Sequence, residues 1–298
     1  MSASAPVRAQ GAFVITGPTS GYGYRVAKEL AKHGTVILVG RDPAKLERVK
    51  AETGGVIVAC DLSDPDAVKR AAAEIVALRL PIAAVVNNAG VQDTRGLKTK
   101  RGWDLSFATN HIGPFVLNEA LAPHLADGTT IVDIVSAVED PDRKPARMAG
   151  FRGGRYVSAE ASARGEWEPG GSTKPGFDAY ATSKQAALAA TLGFAREMPR
   201  LRFIAVEPGF SVGTGLGRDA SVIVRGIARV LFPLLRPLIK GATTPKRAGR
   251  VIASAALNAG GETGMYWNEL GQPMRGSRLV HDESFQNRVL AETRLLVG

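Results

Sequence analysis

Ala12-Phe13-Val14-Ile15-Thr16-Gly17-Pro18-Thr19-Ser20-Gly21-Tyr22-Gly23 joins a short apolar run to a glycine-rich turn, and a helix-compatible stretch follows over 25–32. An apolar run of this length that ends at glycine has the character of a buried parallel strand. Glycines let a backbone turn tightly and approach a pyrophosphate, while the free amides and positive dipole at a helix start attract its charge. The spacing is G-x-x-x-G-x-G, not the G-x-G-x-x-G of the common dinucleotide fingerprint. Three glycines at a strand end also suit a plain turn. The position after the first strand and before the first helix is the one that phosphate binding requires.

Outward from this stretch, apolar strands and helical lengths alternate. Strands are expected over 36–39, 56–60, 83–86, 130–135 and 202–206, with helices over 44–52, 66–78, 103–125 and 179–196. Parallel strands need crossovers, so six or seven such strands specify a parallel sheet covered on both faces. The expected architecture is α/β, a Rossmann-like doubly wound sheet in a single domain spanning residues 1–298. Two segments break the rhythm beyond the carboxyl ends of strands. Residues 137–178 are rich in Gly, Pro and charge and read as a long insertion, and residues 211–244 form a second interruption.

The 298 residues contain 45% apolar and 22% charged side chains, enough for a sizeable core and against general disorder. Cys60, the one cysteine, excludes an internal disulfide framework and a multi-cysteine metal site, which fits a reducing cytoplasm. The first residues lack the apolar region of a signal peptide, and no stretch reaches the ~18 apolar residues of a membrane span. A cytoplasmic location is expected. The net charge of +10 suits an anionic cofactor, a nucleic acid or an anionic surface. Basic residues are scattered without a run, and no nucleic-acid motif with interleaved aromatics occurs. His33, His111, His124 and His281 do not group with carboxylates at ligand spacing, so no metal site is expected. A packing role suits His111 better than a catalytic one.

The second strand ends in Val39-Gly40-Arg41-Asp42. Gly40 offers no carboxylate to a ribose 2'-hydroxyl, whereas Arg41 can make a charge-assisted bidentate pair with a 2'-phosphate. The opposing reading makes Arg41 a solvated charge and gives the hydroxyl to Asp42. In Tyr180-Ala181-Thr182-Ser183-Lys184, Tyr and Lys at i and i+4 share one helix face. A phenol with a pKa of about 10 is a poor base near neutrality, and adjacent positive charge favours the phenolate. Ser136 closes the strand 44 positions before Tyr180, and Asn110 lies in the preceding helix.

With these four residues and the glycine loop, residues 11–215 resemble the short-chain dehydrogenase/reductase family. The resemblance implies that Tyr180 exchanges a proton with a carbonyl or alcohol oxygen as hydride moves to or from the nicotinamide. By the same resemblance Ser136 orients that oxygen, Lys184 lowers the phenol pKa and holds the nicotinamide ribose, and Asn110 completes a proton relay through a water. Gly17, Thr19, Ser20, Gly21, Tyr22 and Gly23 become the phosphate cradle, and Arg41 implies NADP(H). Asp61-Leu62 matches an acid and apolar pair beside the adenine. Asn88-Ala89-Gly90 matches a turn under the cofactor. Pro208-Gly209 matches the family's Pro-Gly turn, and Thr214 the residue that reaches the carboxamide. Gly213-Thr214-Gly215-Leu216 is similar to retinol-dehydrogenase-like and protochlorophyllide-reductase-like members.

The gap between Ser136 and Tyr180 is longer than usual in the family, where such insertions lie beside the active site and obstruct helix pairing into tetramers. A monomer or a small homo-oligomer such as a dimer is expected. Residues 222–240 combine an apolar face with Arg225, Arg229, Arg236 and Lys240, and Pro233 and Pro237 break any long helix. A substrate lid for a bulky apolar small molecule, a packed helix pair and a basic membrane contact all suit this segment. The rival functions are carbon-carbon double-bond reduction by the same Tyr and Lys, and a non-catalytic NADP-binding regulatory module.

Overall fold

The computed structural model describes residues 11–210, 241–258 and 261–298. Seven strands form one parallel sheet: β1 Ala12–Thr16, β2 Thr35–Gly40, β3 Val56–Ala59, β4 Ile82–Asn87, β5 Thr130–Ile134, β6 Arg202–Val206 and β7 Met265–Trp267. Their order is β3-β2-β1-β4-β5-β6-β7. The order reverses between β1 and β4, so the carboxyl ends of those strands open a crevice at a topological switch point. The expected doubly wound sheet is observed.

Alternation along the strands divides the core in two. Ala12 and Val14 of β1 and Ile37 and Val39 of β2 face one layer. Phe13, Ile15, Val36 and Leu38 face the other. This is the period-two geometry of a strand buried on both sides. Helices α1 (Gly21–Leu30) and α2 (Pro43–Thr53) pack on the second layer together with α9 (Pro245–Leu257). The first layer is covered by α3 (Pro65–Ala77), α5 (Gly113–Leu121), α8 (Phe177–Glu197) and α10 (Glu283–Val297).

Two differences from the sequence expectation bear on the site. The helix expected over 103–125 is a composite: the short α4 (Leu105–Phe107), a wide π turn over Ala108–Ile112, and then α5. Gly113 explains the close approach, because a Cβ there would meet Leu62 O at 2.2 Å. The C-terminal elements β7, α9 and α10 were not read from the sequence. Trp267 O accepts from Glu207 N at 2.8 Å, so β7 completes the sheet edge beside the Pro-Gly turn.

The insertion contains α6 (Lys144–Ala149) and α7 (Ala159–Arg164) and is fastened to the body. Tyr156 Oη and Ala159 N donate to Glu292 of α10 at 2.7 and 3.0 Å, and Arg155 N donates to Thr182 Oγ1 of α8 at 2.8 Å. Residues 211–240, most of the segment read as a lid, lie outside the described residues, as does Thr214. At its base Phe210 N donates to Gly241 O, and Thr243 N to Phe210 O, both at 2.9 Å.

Candidate active site

The glycine loop is built for close approach. Gly17 and Gly21 have φ of +65° and +57°, a region that L side chains rarely adopt. A Cβ on Gly23 would meet Asn88 Nδ2 at 2.3 Å and Gly17 O at 2.4 Å. Asn88 Nδ2 donates to Thr16 O and Gly17 O at 2.9 and 3.2 Å, and Ala89 N donates to Thr16 Oγ1 at 3.0 Å. The Asn88-Ala89-Gly90 turn therefore fixes the loop after β1 from the neighbouring strand. Ser20 stands at the N-cap of α1 without using its side chain there, so the first-turn amides keep their donors. Tyr22 Oη donates to Gly209 O at 2.8 Å and ties the cradle to the Pro-Gly turn. A helix start with close-packed glycines fits a pyrophosphate.

Arg41 is exposed at the end of β2. Asp42 caps α2 by accepting from Lys45 N at 3.1 Å and also pairs with the Lys45 ammonium. Asp61 Oδ1 accepts from Ser63 N and Oγ at 3.0 and 2.8 Å, which shapes the turn after β3, and Leu62 is buried.

Asn110, Ser136, Tyr180 and Lys184 come together beyond the ends of β4, β5 and β6. The π turn carries Asn110, whose Nδ2 donates to Val91 O at 2.8 Å and Ser183 Oγ at 2.9 Å. Its Oδ1 accepts from Val91 N at 2.8 Å. A Cβ on Gly90 would lie 3.3 Å from that Oδ1 and 3.6 Å from Lys184 Nζ, so the turn after β4 is packed against both. Ser136 follows β5 in extended backbone, and its side chain acts to lower the Tyr180 phenol. Tyr180 and Lys184 occupy consecutive turns of the almost wholly buried α8.

The electrostatics differ from the simple expectation for Tyr180. Lys184 Nζ stands 5.7 Å from the Tyr180 ring centroid and donates to Ile134 O at 2.7 Å. Burial pushes the Tyr180 phenol above its ordinary value, and the nearby Glu207 carboxylate adds to this while Ser136 opposes it. Burial lowers Lys184 to about 8, against the pull of Glu207 and Asp133. The protein surroundings alone thus hold Tyr180 as the phenol, the form that donates a proton.

Three polar groups here carry no role in the sequence reading. Asp133 interrupts the apolar β5, and burial raises its carboxyl. It accepts from Asn87 Nδ2 at 2.7 Å, Asn118 Nδ2 at 3.4 Å and Thr191 Oγ1 at 2.9 Å, forming a buried network beneath the site. Glu139, raised by burial to about 7, accepts from Ser277 N and Oγ at 2.8 and 2.7 Å and ties the turn after Ser136 to the C-terminal segment. Glu207 accepts from Gly209 N at 3.0 Å and from Ala137 N, and burial raises its carboxyl. The signal available for Asp133 and Glu207 was a carboxylate inside or directly after an apolar strand; Glu139, five residues past β5, gave none.

His111 is a packing residue. Its Nε2 lies 2.9 Å from Thr293 Oγ1, its ring contacts Phe107 and Phe115, and burial lowers it to about 3. Cys60 is a free buried thiol raised by burial to about 12. Among the described residues no helix is long and apolar enough to cross a membrane.

Residues 12–144 match the family model of short chain dehydrogenases. A putative daunorubicin C-13 ketoreductase of Streptomyces sp. (strain C5) is 30% identical over 245 residues, 78% of this chain and 75% of the relative. The chain belongs to the short-chain dehydrogenase/reductase family. A short-chain dehydrogenase/reductase of Armillaria gallica is 29% identical over 269 residues, 87% of this chain and 82% of that protein. The crystal structure of an uncharacterised protein from Mycobacterium paratuberculosis is similar to this short-chain dehydrogenase/reductase with a TM-score of 0.72 and 25% identity, covering 99% and 96% of the two chains. Membership makes the protein an oxidoreductase of a nicotinamide-binding family with a small-molecule substrate.

Proposed function

We propose that this short-chain dehydrogenase/reductase uses NADP(H) to interconvert a carbonyl and an alcohol on a bulky, apolar small molecule, with Tyr180 as general acid/base. The observation that carries the proposal is the convergence of Asn110, Ser136, Tyr180 and Lys184 beside a glycine cradle at the switch point of the sheet. The nicotinamide, when bound, supplies or accepts the hydride. Gly17, Thr19, Ser20, Gly21, Tyr22 and Gly23 hold the pyrophosphate, and Asp61, Leu62, Asn88, Ala89 and Gly90 line the rest of the cleft with Pro208 and Gly209. Tyr180 gives its proton to the substrate oxygen that Ser136 orients, and Lys184 and Asn110 return a proton to the phenol. Thr214 is assigned to the carboxamide by motif alone.

NADP(H) is favoured over NAD(H) because Asp42 is committed to capping α2 and to Lys45, leaving the exposed Arg41 as the group at the end of β2 that can meet a 2'-phosphate. A bulky apolar substrate is favoured by Phe151 and Phe177 of the insertion side. They stack at 4.2 Å, with Phe151 6.2 Å from the Tyr180 ring. The ketoreductase name of the Streptomyces relative points to carbonyl chemistry.

The test is a fluorescence titration with NADPH and NADH, repeated with Arg41→Ala, followed by carbonyl reduction assays with Tyr180→Phe. Preference for NADPH, its loss in Arg41→Ala and loss of turnover in Tyr180→Phe are expected. Failure of both nucleotides to bind would sink the proposal.

A further inference from the structure

Glu139 closes the short turn that follows Ser136. Its backbone N–H donates to Ser136 O at 3.3 Å, and its own carbonyl accepts from Gly154 N of the insertion at 2.8 Å. The residue is fully buried, and one residue of the C-terminal segment uses both of its carboxyl oxygens. Oε1 accepts from Ser277 N at 2.8 Å and Oε2 from Ser277 Oγ at 2.7 Å. A buried carboxyl is costly unless it is hydrogen-bonded in this way. Nothing in the proposed chemistry uses it.

The segment that Glu139 grips packs between the serine turn and the tyrosine helix. A Cβ on Gly276 would meet Glu139 Oε1 at 2.8 Å and Leu188 Cδ2 of α8 at 2.7 Å, so three pieces of chain meet there with no room for a methyl group. Four residues further on, Val280 is buried in the core, and its carbonyl accepts from Gln286 Nε2 at 2.7 Å. Gln286 Oε1 in turn accepts from Arg196 Nε of α8 at 3.0 Å. The Glu139–Ser277 pair therefore joins the backbone of Ser136 to the helix of Tyr180 by a route that avoids the reacting side chains.

We propose that Glu139 is a positioning residue: through its two bonds to Ser277 it fixes the Ser136 backbone against α8, and so sets where the Ser136 hydroxyl stands relative to the Tyr180 phenol. The proposal rests on Ser136 and Tyr180 acting as described under the proposed function. Glu139 exchanges no proton with the substrate.

The pair does not depend on charge. As a carboxylate, Glu139 accepts from both Ser277 donors. As a neutral carboxyl, its carbonyl oxygen accepts from Ser277 N and its hydroxyl donates to Ser277 Oγ. Burial raises the carboxyl to about 7, with Asp140 and Glu207 adding and Ser277 opposing, so both states occur near neutrality. A glutamine can make the same two bonds, an alanine neither.

The experiment measures kcat and KM for NADPH-dependent reduction of 9,10-phenanthrenequinone in wild type, Glu139→Ala, Glu139→Gln and Ser277→Ala, each also combined with Ser136→Ala. Tyr180→Phe, NADPH titrations and thermal melts accompany them. A displacement near 1 Å can cost ~100-fold in rate, so Glu139→Ala should lose roughly 10- to 100-fold in kcat while NADPH affinity stays unchanged. Glu139→Gln should recover most of that loss. In the Ser136→Ala background, Glu139→Ala should cost no more than about twofold further, because the group it positions is gone, whereas a general weakening of the fold costs the same factor in both backgrounds. Ser277→Ala removes one of the two bonds and should show a smaller loss with the same dependence on Ser136, which keeps the idea testable if Glu139→Ala folds poorly. Equal losses in the two backgrounds, a folded Glu139→Gln no better than Glu139→Ala, a loss confined to NADPH affinity, or wild-type kcat in both Glu139→Ala and Ser277→Ala would overturn the role of Glu139. If Tyr180→Phe turned over as fast as wild type, or if wild type bound NADPH and reduced no carbonyl, the proposed function would fall and this role with it. An inactive Tyr180→Phe beside equal losses in the two backgrounds would remove only Glu139.

Discussion

Replacing Gly23 by alanine places a methyl group in the tightest contact of the glycine cradle. The added Cβ would lie 2.3 Å from Asn88 Nδ2 and 2.4 Å from Gly17 O. Both are about 1 Å inside ordinary contact, and repulsion at that depth is too steep to tolerate. Gly17 O is backbone in a left-handed turn, so the cheaper relief is for the Asn88 side chain to withdraw. It then gives up its bonds to Thr16 O and Gly17 O. Each such bond contributes ~1 kcal/mol net and an orphaned, part-buried carbonyl costs ~1–3 kcal/mol, so a loss of roughly 2–4 kcal/mol is expected. Displacement of the loop also misplaces the amides proposed to hold a pyrophosphate. A 30-fold or so weaker nucleotide affinity, ~2 kcal/mol, is the expected share of that disturbance.

The assay is NADPH titration by nicotinamide fluorescence, paired with thermal melts. Gly54→Ala is the control, because Gly54 has φ of +69° at the end of α2 with nothing within 4 Å of an added Cβ. It should cost ~1 kcal/mol through backbone strain and leave binding unchanged. Wild-type affinity in Gly23→Ala would refute the reading of this contact as part of a cofactor cradle.

His111 is held neutral in the fold at about 3 against an ordinary 6.5, so the unfolded chain takes up its proton first as pH falls. Stability is therefore lost below pH 6.5, by roughly 2 kcal/mol between pH 7 and 5, and urea unfolding of His111→Phe should lack that component. Lys184 is lowered by burial to about 8, so its protonated form opposes folding at neutral pH. Lys184→Met should abolish reduction yet gain about 2 kcal/mol of stability at pH 7, and a lower melting temperature would contradict this. Phe151→Ala removes a buried ring that packs on Phe177 and faces Tyr180. It should cost ~3 kcal/mol and raise KM for polycyclic ketones more than for small ones; equal changes in KM would argue against an aromatic substrate wall.

The sheet and the close-packed glycine turn after β1 were legible in the sequence because they rest on local signals. A strand buried on both faces is a continuous apolar run, and β1, β2 and β6 were found within a residue or so of their observed bounds. The glycine loop, Asn88-Ala89-Gly90 and the Tyr180–Lys184 pair depend on spacings of a few residues, which sequence displays directly. The π turn at Ala108–Ile112 was not legible, and neither was the close packing of the adjoining Gly113 on Leu62, 51 positions away in the chain. Nor was the charge state of Tyr180. Lys184 adjoins it in the helix, yet the ammonium bonds Ile134 O, while burial and the charge of Glu207, brought in after β6, raise the phenol. Sequence determines which groups a helix or strand can present, through periodicity and propensity. The sign and size of the field at the reacting atoms depend on burial and on partners brought in by distant elements, and only the tertiary structure decides those.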